Sequence, residues 1–363
     1  MKRRQFLQRS AAAAFAAPAV AAPAIAQSAP EIKWRLTSSF SKSLETLYSA
    51  AQMLSRYIAE ATDNRFQVQA APAGELAQSH QALDAVSSGA VDCAHTPLYF
   101  YLGKDVTLAA ASGLPFGLNT RHQQAWWNFG GGADIVNGAL RKLNVQGLQA
   151  GSTGAQMGAW SKKEINSLDD LKGLRLRISG MGAPIIAKLG AVPNQIMHAD
   201  VYGALEHGTI DGAEFISPHD DERLGIVKVA KYNYYPCWWE SGGMIHLVVN
   251  LDRWNALPKH YQAVVARACD AATLWMTSRY DTVNPPALKR LISYGAILKP
   301  FPPAVMDGFH KATLEHLAEL SVKDPSFKRA LDSINAFRKD QYAWWQVSEH
   351  AMDGFMINLR NRA

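Results

Sequence analysis

The first third of the chain alternates strand patterns with helical patterns. Residues 31–40 carry apolar side chains at every second position, which is typical of a strand with one buried face. Apolar residues then recur at helical spacing over 44–62, and the alternation returns over 65–72. A short helix and a buried strand follow over 80–97. This βαβαβ order predicts an α/β lobe with a mainly parallel sheet, whose ligands bind at the carboxyl ends of its strands.

A second series with the same order begins near residue 145. It ends with a helix, a turn and a strand, and this last unit repeats the pattern of the first lobe, since SGAVDCA at 88–94 is similar to HGTIDGAE at 207–214. The two series predict two similar α/β lobes with a cleft between them, an arrangement typical of a ligand clamp that closes by hinge motion. We expect strands that cross between the lobes near 125 and 243 to act as the hinges.

The pattern becomes helical after residue 258. One long helical pattern covers 259–292, and the prolines at 285 and 286 are expected to break it. Two more helical patterns cover 303–322 and 325–352. So much helix often exceeds what one domain can bury, which favours packing on a partner chain.

The N-terminus has the composition of an export signal. The basic residues KRR at 2–4 precede an Ala-rich apolar stretch, which ends in the small-x-small cleavage pattern AIA at 24–26. The sequence RRQFL at 3–7 resembles a twin-arginine signal, with an ordinary secretory signal as the alternative. We predict cleavage after Ala26 and a periplasmic location.

Removal of residues 1–26 changes the charge balance. They hold four basic residues and no acid, so the mature chain has 33 basic and 31 acidic residues and a net charge of +2 instead of +6. No basic patch interleaved with aromatic residues remains, which argues against a nucleic-acid partner. About 335 residues remain, enough for two domains. Cys93, Cys237 and Cys269 are expected to be unpaired, with a single disulfide bridge as the alternative.

Motifs for covalent or metal catalysis are missing from the sequence. We find no Gly-x-Ser-x-Gly elbow and no Ser-x-x-Lys in a suitable context. The histidines lack the spacing of metal ligands; these are His80, His95, His198, His207 and His246. The run HDDE at 219–222 fits the first turn of a helix, with Ser217 or Asp220 as its N-cap, better than a metal cluster. The glycines at 130–132 indicate a helix-capping loop.

Four polar side chains stand out in apolar segments of the second series. Arg177 lies near the end of the strand at 174–178, where its guanidinium can project into the cleft and bind a carboxylate through two parallel hydrogen bonds. Gln156, Glu214 and Glu240 offer oxygen ligands. Glu214 either faces solvent or belongs to a site, because a buried unpaired carboxylate costs several kcal/mol. The arginine would attract an anion, and the two acids would repel it unless a hard cation such as Na⁺ or Ca²⁺ lies between them.

Three segments carry a family resemblance. Residues 173–193, 200–225 and 235–243 resemble the solute-binding receptors of TRAP transporters, within the branch that binds 2-oxo acids such as pyruvate together with a metal ion. The likeness covers nearly the whole mature chain. It implies a two-lobe, periplasmic-binding-protein-like α/β fold with mixed sheets in each lobe and long C-terminal helices. It also implies a binding protein, not an enzyme, that passes its cargo to a membrane permease.

The resemblance implies a role for each candidate residue. Arg177 would hold the ligand carboxylate, and Gln156 would contact both ligand and ion. Glu214 and Glu240 would bind the ion, Na⁺ as the first expectation and Ca²⁺ as the second. Phe215 stands where the branch often has tryptophan and would offer its backbone carbonyl to the ion. The opposite wall would come from three aromatic residues of the first lobe, Tyr99, Phe100 and Tyr101.

The same resemblance sets the expected domains. Residues 31–152 with about 244–285 would form lobe 1, and 153–243 with about 286–320 would form lobe 2, followed by a C-terminal helical segment at 321–363. A homodimer would form through an exchanged long helix near 258–285. Two alternatives stay open: a metal-dependent enzyme that acts on a small carboxylic acid, and a receptor for a 2-hydroxy acid such as lactate.

Overall fold

The computed structural model describes residues 30–360 and residue 362. The predicted export signal lies outside the described residues, so its twin-arginine character and cleavage site stay predictions. Within the described chain, no helix has both the length and the apolar character needed to cross a bilayer. All three thiols are buried and free, which confirms the expectation of unpaired cysteines.

The strands follow the alternating segments of the sequence. They are β1 (Ile32–Ser38), β2 (Phe66–Ala71), β3 (Cys93–Pro97), β4 (Val145–Ser152), β5 (Trp160–Ser161), β6 (Arg175–Arg177), β7 (Val192–Asn194), β8 (Gly212–Ala213), β9 (Tyr232–Tyr235), β10 (Met244–Asn250) and β11 (Ile297–Pro300). Most strands of the second series are only two to four residues long. Their pairing therefore depends on packing between helices more than on their own ladders.

The helices connect and cover these strands. They are α1 (Glu45–Ala61), α2 (Ala82–Ser87), α3 (Ala109–Ser112), α4 (Thr120–Phe129), α5 (Gly132–Lys142), α6 (Gly182–Lys188), α7 (Val201–Glu206), α8 (Pro218–Leu224), α9 (Leu251–Ala256), α10 (Lys259–Ser293), α11 (Pro303–Lys323), α12 (Pro325–Val347) and α13 (Glu349–Arg360). In α1, Leu47, Leu54 and Ile58 are buried along one face. Through this apolar face the helix packs on the first sheet.

Two mixed sheets define two lobes. The first has the order β2-β1-β3-β10-β4 and the second the order β11-β9-β5-β8-β6-β7. In each sheet one strand runs against its neighbours, β10 in the first and β5 in the second. The remaining neighbours pair in parallel. β5, β10 and β11 are the first strands that the chain forms after it passes from the other sheet, and β11 pairs in parallel. The predicted two-lobe α/β fold with mixed sheets is confirmed.

The chain crosses between the sheets three times, through residues 153–159, through 236–243 and through the segment between β10 and β11 that contains α10. A crossing was expected near 243, and the chain does cross there. The one expected near 125 is wrong, because those residues belong to α4. Asn119 caps that helix by accepting a hydrogen bond from the His122 backbone amide at 2.9 Å, and the fully buried Trp126 holds it in the first lobe's core.

The longest helix, α10, is continuous through Pro285 and Pro286, so the predicted break is wrong. Each proline removes one backbone donor, which weakens a helix locally. Ala287 and Leu291 beyond them are fully buried and hold the last turns in place. The helix packs on β4 and α1 of the first lobe and also on α8. It therefore spans the border between the lobes.

The C-terminal helices return to both lobes. Val305 and Phe309 of α11 join the core beside α6, and Phe327 and Ile334 of α12 join the core around Trp126. The predicted lobe bounds stay predictions.

Candidate ligand and cation site

Two kinds of segment bring the candidate polar side chains together. Arg177 is the last residue of β6, and Glu214 directly follows β8, so both lie at the carboxyl ends of parallel strands. Gln156 and Glu240 lie on the crossing segments 153–159 and 236–243. The backbone amide of Thr153 donates to the Gly243 carbonyl at 3.0 Å and ties these crossing segments together. The site is thus built where the lobes meet.

Arg177 and Glu214 form a buried ion pair. Nη1 of the guanidinium donates to the Glu214 carboxylate and, at 3.0 Å, to its backbone carbonyl. Nε donates to the Ile196 carbonyl at 3.1 Å. Nη2 has no hydrogen-bond partner in the described chain, so this edge of a fixed guanidinium remains available. Nη2 can donate to a carboxylate oxygen, but the predicted pair of parallel hydrogen bonds to one carboxylate is not available because Nε and Nη1 are already engaged.

Glu240 has a buried oxygen without a protein partner. Its side chain is enclosed, and Oε1 makes no hydrogen bond within the described residues. A methyl group built on Gly243 would lie 2.8 Å from Nε2 of Gln156, 3.0 Å from Oε1 of Glu240 and 3.1 Å from Oγ1 of Thr153. Three polar side chains therefore converge on one point that only a glycine leaves open. Buried polar groups normally have partners, so this point is a candidate binding position.

Burial disfavours the charged forms of the two carboxyl groups, Glu214 and Glu240. Burial raises the pKa of Glu240 well above its usual range, and the neighbouring Glu214 raises it further while Arg177 lowers it. Burial also raises the pKa of Glu214, and the Arg177 charge opposes that shift. One guanidinium cannot balance two buried carboxylates. A cation placed between them would favour the charged form of both.

The donor set fits a hard cation. Carboxylate, amide and hydroxyl oxygens are ligands that Na⁺ and Ca²⁺ accept. Rotation of the Gln156 amide would present its oxygen in place of the nitrogen that now donates to Thr153 Oγ1 at 2.9 Å. Across the described residues, no group of three or more His, Cys, Asp or Glu side chains could hold a metal ion. A cation here would depend on neutral oxygens as well as on Glu214 and Glu240.

Two small cavities flank this arrangement. One, of about 10 Å³, is bordered by Glu214, Glu240 and Trp239. The other, of about 60 Å³, is bordered by Arg177 and by residues 195–198. Tyr99 and the Ser179–Gly180 turn separate them, since they line both. The first is about the size of a single ion or water molecule, and the second holds a larger group.

The aromatic wall differs from the prediction at one residue. Tyr99 and Phe100 line the larger cavity. Tyr101 is wrongly assigned to the wall, because it is buried in the first lobe's core and its hydroxyl hydrogen-bonds with Thr96 Oγ1 at 2.7 Å. Leu98–Tyr101 form a tight 3₁₀ turn, which directs consecutive side chains to different sides. Phe215 is buried beside His198 and lines neither cavity with its ring.

Sequence reasoning missed several residues that line the site. His80 and His198 border the larger cavity, although their spacing had excluded them only as metal ligands. Thr153 and Ser179 also belong here. His198 follows β7, Ser179 follows β6 and Thr153 follows β4, so attention to the residues just past each strand would have found these three.

The acidic run at 219–222 and the three glycines at 130–132 have structural roles. The acidic run lies in α8, whose first turn holds Asp220 and Asp221, as the helix hypothesis predicts. Ser217 occupies the N-cap position without a side-chain cap bond. Of the three glycines, Gly131 has a φ of 83° and precedes α5, which confirms a helix-capping loop.

Comparison with known proteins gives a consistent family assignment. Residues 37–324 match the family described as "Bacterial extracellular solute-binding protein, family 7". A monocarboxylate 2-oxoacid-binding periplasmic protein of Nostoc sp. is 42% identical over 326 residues, covering 90% of this chain and 89% of that protein.

Two solved structures are similar along most of the chain. A TRAP transporter solute-binding protein of Bordetella bronchiseptica has a TM-score of 0.90 and 43% identity, covering 92% of this chain and 99% of that one. It is a mixed-occupancy dimer with copurified calcium and picolinate in one site. A TRAP periplasmic solute-binding protein of Pseudoalteromonas atlantica, with bound sodium and pyruvate, has a TM-score of 0.86 and 31% identity, covering 89% and 98%.

Proposed function

Because the chain belongs to family 7 of the bacterial extracellular solute-binding proteins and is a solute receptor of the TRAP type, we propose that its cleft binds a small 2-oxo monocarboxylate such as pyruvate together with a metal ion. The proposal rests on two groups that have no hydrogen-bond partner in the described chain. These are the free Nη2 edge of Arg177 and the buried, unpartnered Oε1 of Glu240.

The ligands of the relatives share one chemical feature. Pyruvate and picolinate each carry a carboxylate next to an atom with a lone pair, the keto oxygen in one and the ring nitrogen in the other. Two such atoms can chelate a hard cation in a five-membered ring. We extend this feature to the present chain as its ligand class, with Na⁺ as the first choice of cation and Ca²⁺ as the second.

Each residue then has a defined task. Arg177 donates from Nη2 to a carboxylate oxygen of the ligand, while its Nη1 and Nε bonds keep the guanidinium in place. Gln156, Glu214, Glu240 and the Phe215 carbonyl would hold the cation, which supplies positive charge where the ligand's two lone-pair atoms meet the carboxylates. Tyr99 and Phe100 close the cleft from the first lobe and exclude water from the ligand.

Calorimetry on the mature chain tests the ligand class. Pyruvate and lactate should each be titrated in Na⁺, in Ca²⁺ and in a chelator with neither ion. We expect pyruvate to bind at least tenfold more weakly when both ions are absent, because the two buried acids would then repel it. Binding of pyruvate that does not depend on either cation would contradict the metal-assisted site, and tighter binding of lactate would move the ligand class to 2-hydroxy acids.

The receptor function also predicts binding without turnover. The titrated samples should contain unchanged pyruvate after prolonged incubation, analysed by chromatography. Appearance of a product would favour the alternative enzyme, in which Glu214 and Glu240 act as acid and base.

Family members are extracytoplasmic, and we propose that this chain reaches the periplasm by the twin-arginine route and delivers its cargo to TRAP membrane subunits.

We also propose a homodimer. The long helix α10, whose segment near 258–285 was expected to form the interface, buries Val265, Ala272 and Met276 within its own chain. Exposed apolar side chains concentrate instead on α12 and α13, and include Trp344, Val347, Met352, Phe355, Met356, Ile357 and Leu359. Such a concentration is typical of a protein–protein contact, so α12 and α13 are the parts of the surface that a second copy would cover.

A further inference from the structure

We propose that His198 and His80 form a polar subsite that hydrogen-bonds to a substituent on C3 of the ligand, so that the preferred cargo is a short 2-oxo acid with a hydroxyl or similar neutral polar group there. This inference rests on the proposed function, since it assumes that the 2-oxo acid head lies at Arg177 and the cation. It specifies the substituent on C3, which the contacts of the 2-oxo acid head with Arg177 and the cation do not determine.

The direction of the ligand follows from the two cavities. The cation position lies on the side of Glu214 and Glu240, beside the cavity of about 10 Å³. Arg177 borders the cavity of about 60 Å³ and not the small one. A 2-oxo acid whose carboxylate meets Arg177 therefore lies along the larger cavity, which His80 and His198 also border.

His198 supplies an unused hydrogen-bonding group in that cavity. Its ring meets the Phe215 ring edge to face at 5.6 Å between centroids, and its nitrogens have no hydrogen-bond partner in the described chain. In its neutral form the imidazole has one nitrogen that donates and one that accepts.

His80 faces the same cavity from the first lobe. Its ring packs on Phe100 at 4.1 Å between centroids, which fixes its orientation. Burial and the Arg177 charge lower its pKa. Two imidazoles, each of which can donate and accept, suit a group that does both, such as a hydroxyl, and the nearby guanidinium disfavours a cationic tail.

The cavity also limits the size of that substituent. On the measure by which one water molecule needs about 10–15 Å³, the cavity of about 60 Å³ admits a short substituent. 3-Hydroxypyruvate and 2-oxobutyrate form a matched pair of probes, because each extends pyruvate by one non-hydrogen atom, a hydroxyl oxygen in one and a methyl carbon in the other. They have nearly the same shape and differ in hydrogen bonding at the position that His198 would contact.

The test is calorimetry of both probes, and of pyruvate, in saturating Na⁺ or Ca²⁺. We expect the unmodified chain to bind 3-hydroxypyruvate at least tenfold more tightly than 2-oxobutyrate, because a site built around a hydroxyl rejects an analogue that leaves its polar groups unpaired. His198→Leu should reduce this ratio to about one. His198→Gln should retain part of the preference, and His207→Leu on the exposed end of α7 is the matched control.

The outcomes separate this inference from the function on which it rests. If pyruvate binds with its cation but the two probes bind equally well, the histidine subsite is wrong and the receptor function stands. The subsite is also wrong if the preference for 3-hydroxypyruvate survives both His198→Leu and His80→Leu. If none of the three acids binds with either cation, the proposed function itself fails.

Discussion

At the scale of single residues, the site is marked by what its side chains lack. Oε1 of Glu240 is a buried polar atom without a partner in the described chain, and burial makes such an unpaired group costly. Nη2 of Arg177 makes no hydrogen bond within the described residues. Gly243 keeps the space between Gln156, Glu240 and Thr153 open. Its φ is not in the left-handed region, so the need for glycine here is one of space. Stability is given up at this point, as is common where a ligand completes the structure.

The variant Gly243→Ala tests this interpretation. The added methyl group would meet the ends of three flexible side chains, which can move aside, so the free energy of unfolding should change by less than about 1 kcal/mol. The same movement would disperse the converging oxygens, and the affinity for pyruvate with Na⁺ or Ca²⁺ should fall at least 100-fold. Calorimetry and urea unfolding measure the two quantities.

A matched control is available in α7. A methyl group built on Gly203 has no atom within 4 Å, so Gly203→Ala should stabilise the chain by about 0.5–1 kcal/mol and leave ligand affinity unchanged. Wild-type affinity in Gly243→Ala would show that the ion and ligand bind elsewhere.

At the scale of elements, the sequence predicted those whose periodicity is long enough to detect. The strands β1, β2 and β3 and the helix α1 lie where alternation and helical spacing place them. β5 and β8 are two residues long, too short for any alternation, and their pairing depends on how the surrounding helices pack. The continuity of α10 through its prolines comes from tertiary burial, which local pattern does not contain. The site residues show the same contrast between pattern and packing. The sequence pattern places Arg177 and Glu214 at the ends of strands, whereas the side of the turn that Tyr101 faces depends on packing.

The helix α8 carries a buried pair of acids that should control stability with pH. Asp221 accepts a hydrogen bond from Trp160 Nε1 at 2.8 Å, and Oδ1 of both Asp220 and Asp221 lacks a partner in the described residues. Burial raises the pKa of Asp220 to about 7 and that of Asp221 to about 8, and Trp160 opposes the second shift. Since the two groups are adjacent, they titrate as a pair.

The sign of the effect follows from proton counts. An aspartate in the unfolded chain loses its proton near pH 4, so above that pH the folded chain holds more protons and loses stability as pH rises towards 8. Asp221→Asn keeps the acceptor for Trp160 without the charge. We expect it to raise the free energy of unfolding at pH 9 by about 2–4 kcal/mol relative to the unmodified chain and to have little effect at pH 5.

Urea unfolding without cargo at both pH values measures this difference. Asp340→Asn on the exposed face of α12 is the control and should show no difference between the two pH values. An equal effect of Asp221→Asn at pH 5 and pH 9 would mean that Asp221 is ionised throughout and that its role is only to accept from Trp160.

At the scale of the whole molecule, the crossing segments 153–159 and 236–243 have a double role. They connect the sheets, and they also carry Gln156 and Glu240, so a cation bound to both would link the segments about which the lobes move. Phe40, Leu44 and Tyr48 of the first lobe share a core cluster with Ile216 of the second. The lobes are thus packed together on one side, and they also approach each other at the site, where a methyl group built on Gly180 would lie 3.4 Å from Cβ of Tyr99. Cargo that contacts both walls favours closure by its differential affinity for the closed state.

The surface that this arrangement leaves uncovered lies on the C-terminal helices. Helix α13 has no buried residue within the chain, and Phe355 and Ile357 are each more than half exposed.

Replacement of both Phe355 and Ile357 by Asp should convert a dimer into a monomer, because two charges in an apolar contact would have to be desolvated. Sedimentation velocity at micromolar concentrations should show this change in mass, with Asp353→Asn on the same helix as the control. Affinity for pyruvate should be unchanged, since α13 supplies no residue to either cavity of the cleft. A monomeric unmodified chain would overturn the proposed dimer, and a dimer that persists with both Asp residues would move the contact away from α13.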